Sequence, residues 1–287
     1  MIPMHTIGEI LKRAARTLAP HSASPRLDAE LLLGAVLGIA RSALIVRGSE
    51  TLAQDLLRDY QGLLDRRVRG APVAYLTGTR EFWSLPLKVT PAVLVPRPET
   101  ETLVEQALEL APLEQESKVL DLGTGSGAVA LAIAAERARA RVIGVDISAA
   151  ALEVARENGR ALALSNVEWR RGSWFEPVPG ERFDLIVANP PYIADGDPAL
   201  LSLTAEPALA LVGGPTGLEA LAAIIVDAAA HLEPGGTLLL EHGFDQHDEV
   251  ARLLARHRFT GVRSHADCSG KLRVTRGTLH YPPQETS

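Results

Sequence analysis

From Lys118 onward, short aliphatic runs alternate with longer Ala-rich stretches at helical spacing, and no other feature of the chain narrows the possible folds so sharply. Lys118-Val119-Leu120-Asp121-Leu122 reads as a strand, followed by a glycine loop and a helix through Ala135. Residues 141–145 read as a second strand with a helix over 149–162 after it, 167–170 as a weaker third strand, and 183–188 as a strong fourth. A helix over 218–232, a turn at Pro234-Gly235-Gly236, a strand at 237–241, a helix at 248–256 and strands around Val262 and at 272–275 complete the chain. Such alternation implies a sheet of parallel strands with helices on its faces, and it places ligands at the carboxyl ends of the strands. The expected fold class is α/β, a doubly wound, Rossmann-like domain.

The first 73 or so residues have a different texture. Ile7, Ile10, Leu11, Ala14 and Leu18 form one helical stripe. Leu27, Leu31, Val36 and Leu37 mark a second helix, and Leu52, Leu56, Leu57, Leu63 and Leu64 a third. Pro20, Pro25 and Gly48-Ser49 punctuate them. Asp65-Arg66-Arg67-Val68-Arg69 closes the segment and reads as a solvated helix end, where cations suit the dipole. Between Pro72 and Pro98, Val73, Tyr75, Phe82, Leu87, Val89, Val93, Leu94 and Val95 mix with Gly78, Pro86 and Pro91, as in short strands and turns. Pro96-Arg97-Pro98-Glu99-Thr100-Glu101 suits the start of a helix, proline and acids both favouring the first turn. The expected organisation is a helical docking domain at 1–73, a hairpin-like linker at 74–98 and an α/β domain at 99–287. A length of 287 residues accommodates about two domains.

Charge and cysteine usage remove several functions. With 29 Lys and Arg against 35 Asp and Glu, the net charge of −6 disfavours a chain whose main work is holding duplex nucleic acid. The single cysteine, Cys268, excludes an internal disulfide and a metal site of paired cysteines, and it reads as inert. His242 and His247 have no third ligand at metal-like spacing and read as loop histidines. The start, Met1-Ile2-Pro3-Met4-His5, lacks the basic region and apolar core of a signal peptide. Apolar runs such as 31–37 fall short of the ~20 residues a membrane helix needs. A soluble, cytoplasmic protein without a membrane partner is expected, with nothing that demands a dimer.

Asp121-Leu122-Gly123-Thr124-Gly125-Ser126-Gly127 joins the first strand of the alternating region to its helix. Glycines there let a ligand approach the main chain closely. Asp146 ends the next strand, about 20 residues on, where an acid can take the two ribose hydroxyls of an adenosine-containing cofactor. Gly123, Gly125 and Ala128 also satisfy a dinucleotide spacing, so the loop by itself leaves a nicotinamide cofactor open. Asp121 tips the balance towards S-adenosylmethionine. Its carboxylate can orient the loop or meet an ammonium group, and would repel a pyrophosphate.

Asn189-Pro190-Pro191-Tyr192 follows the fourth strand directly, at the same sheet edge. A planar NH2 group is a poor nucleophile because its lone pair is delocalised. The Asn189 side-chain oxygen and the Pro190 carbonyl can accept its two hydrogens. Pro190 and Pro191 pre-set the backbone, which lowers the ordering cost, and Tyr192 offers a face for stacking. Asn189, Pro190 and Tyr192 are therefore the candidate catalytic residues, and Asn189 to Tyr192 the substrate-binding segment. Opposite a sulfonium, this arrangement suits methyl transfer to an amide or to an adenine amino group.

These residues resemble class I S-adenosylmethionine-dependent methyltransferases acting on amino nitrogens. Tyr75-Leu76-Thr77-Gly78, Glu81-Phe82-Trp83 and Leu94-Val95-Pro96-Arg97-Pro98-Glu99-Thr100-Glu101 look like the linker signature of the HemK/PrmC type, the release factor glutamine N5-methyltransferases. The likeness runs from about residue 5 to about residue 280. It implies a class I methyltransferase domain, S-adenosyl-L-methionine as cofactor with S-adenosyl-L-homocysteine as product, and peptide chain release factors as protein substrates. The modified residue would be the glutamine of their Gly-Gly-Gln motif. It also implies that Gly123, Thr124, Gly125, Ser126 and Gly127 line the cofactor with Asn189 beside them, that Asp146 holds its ribose and that Trp174 lies near the adenine. Ser173 departs from the pattern, since relatives commonly carry an acid there and serine accepts from an adenine amino group less strongly. A nucleic-acid adenine-N6 methyltransferase shares the Asn-Pro-Pro-Tyr motif and is the competing enzyme. No stable nucleic-acid binding is expected.

Overall fold

The computed structural model describes residues 6–111 and 116–280, so the leading segment at 1–5, read above for its lack of a signal peptide, lies outside the described residues. The chain divides after Thr79 into two compact units. Among the described residues no helix is long and apolar enough to cross a membrane.

The first unit is helical: α1 (Ile7–Leu18), α2 (Pro25–Leu37), α3 (Arg41–Val46), α4 (Gln54–Val68) and α5 (Val73–Thr77). Thr6 and Glu9 close a reciprocal capping box at the start of α1, which satisfies two backbone N–H groups that the helix leaves unpaired. The stripe read on α1 is the buried one. On α2 the core face is Ala29, Leu32 and Leu33, whereas Leu27 and Leu31 are exposed, since an apolar side chain at a surface is as ordinary as a buried one. The basic run is not wholly solvated either. Arg67 turns inward to pair with the buried carboxylate of Asp28 at 2.8 Å, since a buried charge requires a partner. Val73 and Tyr75, read as strand or turn, lie in the short helix α5, which ends at Gly78 with φ +77.

The second unit begins inside a two-stranded ribbon, β1 (Thr79–Phe82) and β2 (Leu85–Lys88), joined by Trp83 and Ser84 at positive φ, the backbone that a two-residue hairpin turn requires. A single 3₁₀ turn at Pro98–Thr100 leads into α6 (Glu101–Leu110). The elements β3 (Lys118–Leu122), α7 (Ala128–Glu136), β4 (Arg141–Asp146), α8 (Ala149–Ala161), β5 (Val167–Arg171) and β6 (Phe183–Ala188) follow. Next come the short pair β7 (Ile193–Ala194) and β8 (Val212–Gly214), and then α9 (Glu219–His231), β9 (Leu232–Glu241), α10 (His247–Arg256), β10 (Phe259–Ala266) and β11 (Leu272–Leu279).

Seven strands form one sheet in the order β10-β11-β9-β6-β3-β4-β5. Strands β9, β6, β3, β4 and β5 pair in parallel, and β11 runs against both its neighbours. Consecutive residues go to opposite faces: Leu120, Leu122, Ile143, Ile186 and Leu240 pack with α9 and α10, while Val119, Val142, Leu185, Val187 and Leu239 pack with α6 and α7. Both faces are buried, so the strands read as continuous apolar runs rather than as alternation. The turn read at Pro234-Gly235-Gly236 lies inside β9. Gly235, at φ +83, lets the strand bulge, and pairing with β6 resumes from Leu232 opposite Phe183 to Thr237 opposite Leu185.

Candidate active site

The order of the sheet reverses between β3 and β6, and a cavity of about 350 Å³ opens beside that switch point at the carboxyl ends of the strands. Its wall takes Asp121 from β3, Gly123 to Ser126 from the loop after it, and Val145 to Ser148 from the end of β4. Gly172, Ser173 and Trp174 come from beyond β5, and Asn189 and Pro191 from beyond β6. Ala92 to Leu94, Arg97 and Thr100 close one side, with Leu209 and Val212 on another.

The glycine loop is held by its own strands. The amides of Gly123 and Thr124 both donate to the carbonyl of Val145 at 2.9 Å. Asp121, only 2% exposed, accepts from Thr124 Oγ1 at 2.6 Å and from the Ala130 amide at 3.2 Å, so it braces the loop against the first turn of α7. Burial pushes the Asp121 carboxyl up to about 7, with those hydrogen bonds opposing the shift. Asp146 accepts from the Gly125 amide at 2.9 Å through one oxygen and from the Ser148 amide at 2.8 Å through the other. Burial raises its carboxyl as well, against these backbone contacts.

Gly127 does not line the cavity. It starts α7 at φ +82, and a Cβ there would stand 2.7 Å from the Trp169 ring, so this glycine serves the packing of the helix on the sheet. Trp174 is held at φ +44, a backbone costing about 1–2 kcal/mol for a side-chain-bearing residue, and its ring faces Gly123. Ser173 lines the wall beside it, its amide bonded to Glu176.

Of the Asn189-Pro190-Pro191-Tyr192 segment, Asn189 and Pro191 reach the cavity, Pro190 is buried, and Tyr192 stands behind the wall. Asn189 Nδ2 donates to Thr100 Oγ1 at 3.2 Å. That bond uses the donor side of the carboxamide and leaves Oδ1 as an acceptor. Tyr192 Oη donates to Glu241 Oε1 at 3.3 Å, and burial raises the phenol above its ordinary range. The Tyr192 carbonyl accepts from Gln246 Nε2 at 3.0 Å. Two glycines press on the same stretch of backbone: a Cβ on Gly213 would lie 2.4 Å from Pro191 O, and one on Gly217 2.4 Å from Tyr192 O.

Sequence reasoning missed Thr100, Glu241, Gln246, Gly213 and Gly217 as parts of this site. One signal existed, a lone carboxylate ending the aliphatic run Leu238-Leu239-Leu240-Glu241 at the edge already marked by Asp121 and Asp146. Arg97, read as linker structure, pairs with the buried Glu206, which also accepts from the Val95 amide at 3.1 Å. Asn158 on α8 is a further structural tie. Its oxygen accepts from the Lys88 amide at 2.7 Å, and its NH2 donates to the carbonyls of Lys88 at 3.0 Å and Ser126 at 2.9 Å. His242 follows β9 directly, in the loop before α10 as read from the sequence, and is buried with its ring nitrogens satisfied by Gly243 O and Thr275 Oγ1. Among the described residues no cluster of His, Cys, Asp or Glu could hold a metal ion.

Residues 9–78 match a family described as the PrmC N-terminal domain, and residues 113–260 match a methyltransferase domain. A release factor glutamine methyltransferase of Yersinia pestis is 49% identical over 259 residues, 90% of this chain and 93% of that protein. One from Xylella fastidiosa is 50% identical over 254 residues, 88% of this chain and 92% of that protein. Among solved structures, a methyltransferase from Pyrococcus furiosus shares the fold at 20% identity, with a TM-score of 0.52 over 69% of this chain and 90% of that one.

Proposed function

Because the chain belongs to the release factor glutamine methyltransferase family, we propose that it transfers a methyl group from S-adenosyl-L-methionine to the side-chain amide nitrogen of a glutamine, that of the Gly-Gly-Gln motif in peptide chain release factors. The observation that carries this reading is the sense of the Asn189 carboxamide: its NH2 is occupied by Thr100, so its oxygen is the group available to a substrate NH2. That oxygen and a proline carbonyl take the two hydrogens of the amide and turn its lone pair along one direction. A methylated amide nitrogen sheds its extra proton readily, so the site needs acceptors that orient rather than a strong base.

The residues present fit the cofactor. S-adenosyl-L-methionine, when bound, supplies a methyl group on a cationic sulfur. On the cavity wall, Asp146 would take ribose hydroxyls, the Trp174 ring would cover a flat base, and Gly123 and Gly125 would let the main chain come close. Asp121 and Asp146 both line the cavity, and a bound cation would favour their ionised forms against the burial that raises both carboxyls.

Labelled S-adenosyl-L-methionine should mark a release factor, should fail to mark its Gln→Ala variant, and should leave DNA unmarked. Label on DNA alone would replace the substrate assignment with the adenine reading. Asp146→Ala removes an acceptor from the Gly125 and Ser148 amides together with the ribose contact. It is expected to weaken cofactor binding by about 30- to 100-fold, roughly 2–3 kcal/mol. Calorimetry giving a Kd near that of the wild type would strip Asp146 of this role.

A further inference from the structure

Glu241 ends β9 directly after Leu238, Leu239 and Leu240, in a register that sets Leu240 opposite Ala188 of β6 and Glu241 opposite Val274 of β11. It is 1% exposed, and its Oε2 has no hydrogen-bond partner among the described residues. A carboxyl that served only packing would be an unfavourable choice here, since the aliphatic residues before it fill the same layer without cost. Its other oxygen receives Tyr192 Oη, and the hydroxyl of Thr100 also faces it. Thr100 in turn receives Asn189 Nδ2. One carboxyl therefore stands behind the Asn189 carboxamide, through Thr100, and behind the Tyr192 side chain that backs the same segment.

We propose that Glu241 is a positioning residue for the transfer, fixing the Thr100 and Tyr192 hydroxyls and through them the sense of the Asn189 carboxamide and the seat of the Tyr192 ring. This rests on the function proposed above. As a carboxylate, Glu241 accepts from Tyr192 Oη and offers an acceptor to the Thr100 hydroxyl, whose Oγ1 then keeps its lone pairs for Asn189. As a neutral acid it presents a hydrogen of its own and competes for those hydroxyls, and the direction of the chain is lost. The groups facing it are Arg273 from β11, whose charge favours the carboxylate, and Glu99 from the turn before α6, whose charge opposes it. Burial is the largest influence and pushes the carboxyl up to about 7.

The test measures kcat, KM and cofactor Kd for the full chain with an intact release factor. Glu241→Gln and Thr100→Val are each expected to lower kcat about tenfold with cofactor Kd within about threefold of wild type, and Thr100→Ser to retain activity. The double variant should lose no more than either single one, because both act on one chain of hydrogen bonds. The ratio of wild-type to Glu241→Gln turnover should grow from pH 6 to pH 8. Unchanged kcat in Glu241→Gln at every pH, or a double variant whose loss is the product of the two, overturns the assignment. If Glu241→Gln does not fold, an unchanged kcat in Thr100→Val overturns it alone. An inactive wild type would instead overturn the substrate reading, and this proposal with it.

Discussion

Replacing Asn189 by Ala is expected to lower methyl transfer to a release factor about a thousandfold while the affinity for S-adenosyl-L-methionine stays within about threefold. The side chain spends its NH2 on Thr100 and keeps its oxygen for the cavity, so truncation removes the acceptor that orients the incoming amide and leaves the glycine loop and Asp146 in place. The loss should appear in kcat more than in KM, because orientation matters most where the nitrogen meets the methyl group. Asn189→Asp makes the same point differently. It keeps an oxygen but loses the donor to Thr100 and adds a charge beside Asp121 and Asp146, so it too should be slow. Turnover and calorimetry on the same preparations decide the matter, and a proportional loss of cofactor binding and rate would reassign Asn189 to the cofactor.

Gly213→Ala should damage both the fold and the rate. A Cβ at this position would meet Pro191 O at 2.4 Å, Tyr192 Cα at 2.9 Å and Gly217 O at 2.9 Å, and all three are backbone atoms with no rotamer to yield. Overpacking of this kind costs about 1–3 kcal/mol, which for a unit of this size lowers the melting temperature by roughly 2–10 °C. The relief available is a shift of the Pro191-Tyr192 backbone, and misplacement of about 1 Å near a reacting group costs about a hundredfold in rate. Gly62→Ala is the control, lying in helix α4 with nothing within 4 Å of the added methyl. Equal melting temperatures and equal rates for the two variants would show that β8 does not press on this segment.

What the sequence revealed, and what it hid, follows from the range of each interaction. The strands β3, β4 and β6 were legible because full burial writes itself as unbroken aliphatic runs, and the glycine loop because its residues are contiguous. The reversed direction of β11 was not, since pairing direction is settled by a partner strand far away in sequence. The core face of α2 was misjudged because Leu27 and Leu31 are apolar yet outward, and apolar residues at a surface are ordinary. At the site, Asp121, Asp146 and Asn189 announced themselves by their place at strand ends. Thr100, Glu241 and Gln246 did not, because their meaning lies in contacts across 49 to 89 residues of chain. Gly213 and Gly217 were hidden for a related reason: a glycine that makes room for a distant backbone looks like any turn glycine.

The Asn158 carboxamide links the hairpin strand β2 to the glycine loop by three hydrogen bonds from one buried side chain. Its consequence is one of cooperativity. When the loop loosens, Asn158 loses Ser126 and its hold on Lys88 weakens, so exposure of the hairpin backbone and exposure of the loop become one event rather than two. Ligand that orders the loop thereby draws the hairpin into the same protected set, though no hairpin residue lines the cavity.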